Sequence, residues 1–472
     1  MVVSCPQNLE FGLAELGEGY SSGVISPVEV TREALRRIEL ANPRLRALTT
    51  VFADEALAAA ELSEQRWHIG APLSPLDGAP IVLKSTLRIS GWQADFGSHN
   101  PPPAADSVSE SPAVSHLRRA GAIFLGVASS PEYAWNILTS SPRFGVTYNP
   151  WDLSLGPGGS SGGTASAVAA GLAAVSPGTD AGGSVRLPAA WSGIVGFKPT
   201  HGRIALAPSG FSAIAHVGPM GRSVEDVERQ FLIMQRPDSR DPYQLSEPNI
   251  AAPFFPSNLK DQRVLVLRFS GMGMPIKDHS GLDAMIDLLL VNGAHVVDEI
   301  EFDLAMVRDA WMLQYGSALG LISEGWSEEQ RSMADPGLMK FAAVAGEKSA
   351  LDQLKASVVA RKAALDIDAL LENVDFIITD AVPCPPLMSE EIAPEGFFGE
   401  LWCDWASTGY LFNLTGHPAI SLPVKQDNGC LPLSCQIIGR RLGDDLLLRQ
   451  AKLIEEARGS IDYGCAEEVW AS

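Results

Sequence analysis

Positive charge is scarce in this sequence. Its 472 residues include 35 Lys and Arg against 56 Asp and Glu, which gives a formal net charge of −21 at pH 7. Proteins that bind a nucleic-acid backbone need clustered Lys and Arg, so we expect no nucleic-acid partner. A surplus of acidic residues favours solubility and gives no indication of the charge of a substrate.

Cysteine is also sparse, and its spacing points to no cofactor. The six cysteines include no CxxC pair, and five of them lie in the last quarter of the chain. Buried free thiols are favoured over disulfides for those five. The sequence contains no HExxH or other metal-ligand spacing, so it implies no metal, and we expect no cofactor.

Long apolar runs are missing as well. No run reaches about 18 residues without a charged residue or a turn former, so we expect no membrane span. The N-terminal residues lack a basic patch followed by an apolar stretch, which is the pattern of a signal peptide. We therefore expect a cytoplasmic protein that does not act at a membrane.

Two glycine–serine clusters stand out against this background. They are GGSSGG at 158–163 and GTDAGGS at 178–184, joined by an Ala/Val-rich segment. Glycine lets the backbone approach a ligand closely, and a serine hydroxyl becomes a nucleophile only beside a base. Neither cluster has the spacing of a phosphate-binding loop or of a dinucleotide fingerprint. The pattern indicates a serine nucleophile whose base lies elsewhere in the chain.

Lys84 is a candidate for that base, because it follows the apolar residues 81–83 of a short predicted strand. From the local pattern alone, a strand end that emerges into solvent is the favoured interpretation. The alternative is a buried lysine, whose pKa falls on desolvation until the amine can accept a proton at neutral pH.

Helical and strand patterns alternate along most of the chain. A capping box at Ser26–Glu29, with proline at the first helical position, predicts the start of a helix. The alternation predicts an α/β fold, a single α/β/α domain with a mixed central sheet covered by helices on both faces. Within the single domain, 1–472, we expect a helical N-terminal part at about 1–70, a core at about 78–226 and a variable substrate-side region at about 230–410.

The chain closely resembles the amidase signature family of Ser-cisSer-Lys hydrolases. The resemblance covers most of the chain in order, with residues 230–370 weakly matched. The motifs that carry it include GAPIVLK at 78–84, NPWD at 149–152, PGGSSGG at 157–163, GTDAGGSVRLPAA at 178–190, GFKPTHGR at 196–203 and FNLTGHPAISLPV at 412–424.

The resemblance implies a catalytic triad. Ser184 corresponds to the nucleophile, Ser160 to a bridging serine on a cis peptide bond, and Lys84 to the general base and acid. A hydroxyl both donates and accepts a hydrogen bond, so the bridging serine can pass a proton in either direction.

The resemblance also implies the surroundings of the triad. The backbone N–H groups of Ala181, Gly182, Gly183 and Ser184 correspond to the oxyanion hole. Three further residues are expected to contact the substrate, namely Trp135, Gly158 and Gly159. A second aromatic group is predicted to belong either to the core or to the substrate wall, namely Phe397, Phe398, Trp402 and Trp405.

The expected function is hydrolysis of a carboxamide or N-substituted amide, with an aryl or hydrophobic preference, through an acyl-enzyme on Ser184. The alternative is the amidase subunit of a tRNA-dependent glutamine amidotransferase, which shares the triad. The loop at 396–410 lacks the Tyr/Asp pattern associated with that subunit. A scaffold without activity is disfavoured by the intact triad. The expected partner is a small-molecule amide, and a homodimer is left open.

Overall fold

A computed structural model describes residues 12–102, 110–206, 213–245, 255–270, 278–346, 348–382, 384–397, 401–426 and 430–471. The helices are α1 (Leu13–Ser22), α2 (Pro27–Leu45), α3 (Ala53–His68), α4 (Pro112–Arg119), α5 (Gly162–Ala169), α6 (Arg186–Trp191), α7 (Val224–Met234), α8 (Ser280–Val291), α9 (Ala305–Ser323), α10 (Glu328–Met333), α11 (Pro336–Gly346), α12 (Ala350–Leu371), α13 (Leu411–Leu414), α14 (Asp444–Arg458) and α15 (Gly464–Ala471). The strands are β1 (Leu48–Val51), β2 (Pro80–Lys84), β3 (Ile123–Ala128), β4 (Ser140–Ser141), β5 (Gly145–Val146), β6 (Val175–Asp180), β7 (Val195–Lys198), β8 (His216–Gly221), β9 (Arg263–Ser270), β10 (His295–Asp303), β11 (Phe376–Asp380), β12 (Ala419–Lys425) and β13 (Leu433–Ile438).

Most of the strands form one large sheet. Its eight strands lie in the order β10-β9-β11-β13-β12-β7-β8-β6, and a separate three-stranded sheet has the order β1-β3-β2. Strand β9 pairs in parallel with β10 and β11, whereas β12, β13, β7, β8 and β6 pair antiparallel with their neighbours. The predicted α/β class with a mixed central sheet covered by helices is confirmed.

Helix α2 begins where its capping box predicts. The Ser26 hydroxyl accepts from the Glu29 amide at 3.2 Å, and the Glu29 carboxylate accepts from the Ser26 amide at 2.9 Å. By contrast, the helix expected over 164–175 ends at Ala169. The chain turns at Gly171, whose φ of +65° is left-handed and breaks the helical path.

The sequence patterns did not predict strands β6 and β8. Both contain glycine and proline, which are depleted in strands, and Pro177 lies opposite Pro219 where the two pair. The glycines serve close approach: a Cβ on Gly218 would lie 2.2 Å from the Phe197 carbonyl oxygen. Strand β6 leads directly into the second glycine–serine cluster, so this pairing positions the candidate nucleophile.

Two large hydrophobic clusters hold the fold together. One packs α2, β2, β3 and α14 around the N-terminal half, and the other is rich in aromatic side chains from α9, α11 and residues 401–412. Trp402 and Trp405 are buried in the aromatic cluster, Phe397 packs against its edge, and Phe398 lies outside the described residues. Two of the four aromatic residues therefore belong to the core.

The described cysteines are all free. Cys384, Cys403 and Cys435 are buried and Cys430 and Cys465 are exposed. Burial was thus predicted correctly for three of these five. Within the described ranges, every helix is too short or too polar to cross a bilayer.

Candidate active site

Lys84 ends the buried strand β2 and does not emerge into solvent. Its side chain is fully buried, so the solvent-exposed interpretation of the local pattern is wrong. The Lys84 Nζ donates to the Ser160 Oγ at 2.8 Å, to the Thr179 Oγ1 at 2.9 Å and to the Thr179 carbonyl at 3.2 Å. Tertiary packing thus brings the lysine to both glycine–serine clusters.

Burial also adjusts the proton affinity of Lys84. Desolvation lowers the Lys84 pKa to about 7, although the negative charge of Asp180 opposes the shift. A neutral amine has two N–H donors and one lone pair. The two oxygens of Thr179 can accept both donors, and the lone pair then faces the Ser160 hydroxyl. The amine is therefore arranged to accept a proton from Ser160.

The first cluster presents Ser160 and holds its glycines behind it. The Gly159–Ser160 peptide bond is cis. The Thr139 hydroxyl donates to the Gly158 carbonyl at 2.7 Å, and a Cβ on Gly159 would lie 2.9 Å from the Ile137 carbonyl carbon. Among the described residues that line the neighbouring cavity, this cluster is represented by Ser160 and not by either glycine.

A buried ion pair supports the second cluster. Arg186 donates to both carboxylate oxygens of Asp180, at 3.0 and 3.1 Å, and Asn413 donates to the same carboxylate at 2.9 Å. Burial favours the protonated carboxyl, but the charge of Arg186 outweighs this and keeps the Asp180 pKa well below its usual range. The carboxylate in turn accepts from the Gly183 amide at 2.7 Å and the Val185 amide at 3.2 Å. These bonds fix the loop that carries Ser184.

The four expected oxyanion-hole amides are not equivalent. The Gly183 N–H is already bound to Asp180. Within the described part of the chain, the N–H groups of Ala181, Gly182 and Ser184 have no backbone or side-chain acceptor. A buried N–H without a partner is uncommon in a native protein, so these three amides are available to a bound ligand.

The two clusters meet at a cavity of about 350 Å³. Ser160, Thr179, Ala181 and Ser184 lie along its wall, and Ser184 is 6% exposed. Much of the remaining wall is apolar, and its aromatic members are Phe96, Tyr133, Tyr315 and Trp326. The Phe96 and Tyr133 rings stack at 5.3 Å, and the Trp326 ring lies 5.8 Å from that of Tyr133.

Trp135 lies behind this wall. Its side chain is buried in the aromatic cluster, close to Gly337, and is not among the described residues that line the cavity. The reason is local: Tyr133 and Ala134 have φ values of +50° and +58°, and both face the cavity in a left-handed turn that directs Trp135 inward. Direct contact between Trp135 and a substrate stays a prediction, and the cavity supplies other aromatic side chains for that role.

Comparison with known proteins identifies the family. A family model described as Amidase matches residues 29–448. The chain belongs to the amidase signature family. The signature motifs of the sequence therefore correspond to the strands, clusters and cavity described above, and the chain is an enzyme that hydrolyses amide C–N bonds.

Three similar proteins illustrate the range of this amidase family. An acylamidase from Rhodococcus erythropolis is 30% identical over 481 residues, covering 98% of this chain and 99% of the relative. A glutamyl-tRNA(Gln) amidotransferase subunit from Prochlorococcus marinus (strain MIT 9313) is 31% identical over 490 residues, with coverage of 94% and 97%. The crystal structure of a bacterial aryl acylamidase superposes with a TM-score of 0.85 at 26% identity, covering 98% of each chain.

Sequence reasoning missed several residues around the site of this amidase. Thr179 lies inside the GTDAGGS motif, and its position one residue before Asp180 at the end of a strand was the available signal. Tyr315 and Trp326 lie in the weakly matched region 230–370, where no motif marks them. Their approach to the cavity follows from the packing of α9 and could not be inferred from the local pattern.

Proposed function

We propose that Ser184 is the nucleophile of this amidase, that Ser160 relays its proton and that Lys84 is the base. The observation that carries the proposal is the 2.8 Å hydrogen bond between the Lys84 Nζ and the Ser160 Oγ, in a cavity that Ser160 shares with Ser184. A serine hydroxyl needs such a base to attack at neutral pH.

The reaction then proceeds in two halves. The Ser184 Oγ attacks the amide carbon while its proton passes through Ser160 to the neutral amine of Lys84. The tetrahedral intermediate collapses, and the leaving nitrogen takes the proton back from Lys84 by way of Ser160. Water then attacks the ester on Ser184 with the same base, releasing the carboxylic acid and restoring the free serine.

The developing oxyanion is stabilised by backbone amides in this proposal. Support comes from the unpartnered N–H groups of Ala181, Gly182 and Ser184 beside the cavity. The Gly183 amide, which the family resemblance also implied, serves Asp180 and so supports the loop from behind. Losing one oxyanion donor typically costs about 3 kcal/mol of transition-state stabilisation.

The substrate class we propose is a small amide with an aryl or other hydrophobic group. The aromatic wall of Phe96, Tyr133, Tyr315 and Trp326 supports this, because aromatic side chains supply apolar area and stack on rings. The names of the acylamidase and the aryl acylamidase fit the same class. The products are an acid and an amine or ammonia.

A glutamine amidotransferase subunit is the second candidate, favoured by the relative of that name. Free glutamine carries both an ammonium and a carboxylate, which need opposite charges in the site. In the described cavity wall the charged side chains are Arg88 and Asp180, and the carboxylate of Asp180 is bound by Arg186. The cavity therefore supports hydrophobic amides over glutamine. A cytoplasmic location, a single domain and a homodimer stay predictions from the sequence.

The test is an assay of the purified chain against acyl anilides, benzamide, acetamide and glutamine, together with labelling by a fluorophosphonate probe. We expect the probe to modify Ser184, and the Ser184→Ala variant to lose labelling and turnover. The acyl anilide should exceed acetamide and glutamine in kcat/KM by at least about tenfold. Full activity in Ser184→Ala would overturn the nucleophile, and glutamine as the best substrate would favour the second candidate.

A further inference from the structure

Trp311 connects a helix outside the matched motifs to the loop of the nucleophile. It lies on α9 (Ala305–Ser323), in the weakly matched region, and its side chain is fully buried. The indole Nε1 donates a hydrogen bond of 2.7 Å to the carbonyl of Ala181, which is 130 residues earlier in the chain. Ala181 opens the run of amides that face the cavity.

This hydrogen bond sets the direction of the next amide. In a trans peptide the C=O and the following N–H point in opposite directions, and the peptide bond between Ala181 and Gly182 is trans. The Ala181 carbonyl points at Trp311, so the Gly182 N–H points away from the indole. Gly182 is buried, and its N–H has no acceptor in the described part of the chain. A ligand oxygen in the cavity is the remaining partner for this donor.

The indole has little freedom to move. Tyr315 stacks on one side with ring centroids 4.7 Å apart, and Tyr410 stacks at 5.0 Å. The rings of Phe341 and Trp402 meet Trp311 edge-on, at 6.0 and 5.3 Å. Close-packed aromatic side chains of this kind remain in one rotamer, so the donor stays aimed at one carbonyl.

The loop is fitted to the indole at Gly182. A Cβ on Gly182 would lie 2.7 Å from Trp311 Cζ2, which is closer than a real contact allows. Glycine at this position therefore lets the backbone lie against the ring. The contact explains this glycine of the second cluster by packing, where the sequence alone suggested only an approach to a ligand.

We propose that Trp311 is a positioning residue for the oxyanion hole, because it orients the Ala181–Gly182 peptide so that the Gly182 N–H faces the developing oxyanion. This inference rests on the proposed function, in which Ser184 attacks beside that amide. Tyr315 both lines the cavity and stacks on Trp311, so the substrate wall and the oxyanion loop share one support.

The test compares two tryptophans of the same cluster. Trp311→Phe removes the indole N–H and keeps an aromatic ring in the stack. Trp402→Phe is the matched control, because the Trp402 Nε1 donates a similar bond of 2.8 Å to the carbonyl of Trp135, outside the oxyanion loop. Both variants lose one buried indole–carbonyl bond, so their melting temperatures should fall by similar amounts.

The two variants should differ in catalysis. With an acyl 4-nitroanilide, Trp311→Phe should lower kcat by about 10- to 100-fold and leave KM within about threefold, since the lost contact acts in the transition state. Affinity for a trifluoromethyl ketone analogue, which forms an oxyanion on Ser184, should fall by the same factor as kcat. Affinity for the corresponding alcohol should not change. Trp402→Phe should keep kcat within about threefold of the parent enzyme.

Equal losses of kcat in the two variants, or a loss carried by KM, would overturn the positioning role. If Trp311→Phe fails to fold, 3-benzothienylalanine incorporated at position 311 keeps the shape of the side chain without the N–H, and the same outcomes decide. Ser184→Ala separates the two proposals. If that variant keeps its activity, the proposed function fails. If it is inactive while Trp311→Phe has a normal kcat, only the role of Trp311 fails.

Discussion

Lys84 and Thr179 are joined by two hydrogen bonds, from the lysine Nζ to the threonine hydroxyl at 2.9 Å and to its carbonyl at 3.2 Å. The two residues come from different sheets, β2 in the three-stranded sheet and β6 in the eight-stranded sheet. The contact therefore ties the sheets together where the proposed chemistry takes place. It also fixes the direction of the amine lone pair toward Ser160.

Thr179→Val should test this contact. Valine keeps the shape of threonine but removes the hydroxyl acceptor, so one N–H of Lys84 is left without a partner. We expect kcat/KM to fall by about tenfold, on the scale of 1.4 kcal/mol for one buried hydrogen bond. Thr179→Ser keeps the hydroxyl and is the control, with a smaller expected loss. Equal activities of the two variants would contradict a role for the hydroxyl.

The pH profile should report the Lys84 amine. Its pKa is lowered to about 7 by burial, and the cationic form below that pKa cannot accept a proton. We expect kcat/KM to fall as the pH drops through about 7 and to level off above it. Lys84→Arg should be inactive at every pH, because guanidinium stays protonated. A flat profile across this range, or an active Lys84→Arg enzyme, would contradict the assignment.

Asp180→Asn should change both stability and the pH profile. The Asp180 charge raises the Lys84 pKa, so its removal should shift the acid limb of kcat/KM to lower pH. Arg186 would also keep a buried charge without its partner, at a cost of about 3–5 kcal/mol in the free energy of unfolding. Chemical denaturation and the rate profile measure the two effects. An acid limb that stays in place would show that the two groups are not coupled.

The ionisation of Asp180 makes its own contribution to stability. Its folded-state pKa lies below the ordinary value, because the charge of Arg186 overcomes the effect of burial. A depressed carboxyl pKa stabilises the fold above the ordinary pKa and loses that contribution as the pH falls through the folded-state value. We therefore expect the ion pair to persist throughout the range in which Lys84 titrates.

Trp326→Ala should weaken the preference for aryl substrates. The side chain lies on the cavity wall and packs on Tyr133 at 5.8 Å, so its loss removes apolar contact area from a bound ring. We expect kcat/KM for an acyl anilide to fall by about tenfold, and that for acetamide to change much less. Trp151→Ala is the control, because Trp151 packs on Tyr463 away from the cavity wall. Equal effects on both substrates would argue against a specificity role.

The parts of the site that the sequence predicted are those set by local chemistry. The glycine–serine clusters, the strand before Lys84 and the family resemblance led to Lys84, Ser160 and Ser184, and the fold gathers all three around one cavity. Glycine, serine and lysine are unusual enough in these positions to mark themselves. Local pattern alone nevertheless favoured an exposed Lys84, because exposure at a strand end depends on what packs against it.

Other features depended on distant parts of the chain. The motif gave no reason to separate the Gly183 amide from its neighbours, and only the Asp180 carboxylate beneath the loop distinguishes it. Likewise, Trp135 was expected at the substrate because of its place in the sequence. Two consecutive left-handed residues, Tyr133 and Ala134, turn it into the core, and such conformations leave little trace in a sequence without glycine.

The sequence by itself determined the α/β class, the family and the residue types that make amide hydrolysis feasible, because periodicity and short motifs are local properties. Tertiary structure decided the proton affinity of Lys84, which depends on complete burial beside Thr179, and the substrate wall, which comes from α9 and the segment after it. It also brought Trp311 to Ala181 across 130 residues. Desolvation and long-range contact are properties of the packed chain, so no stretch of sequence encodes them alone.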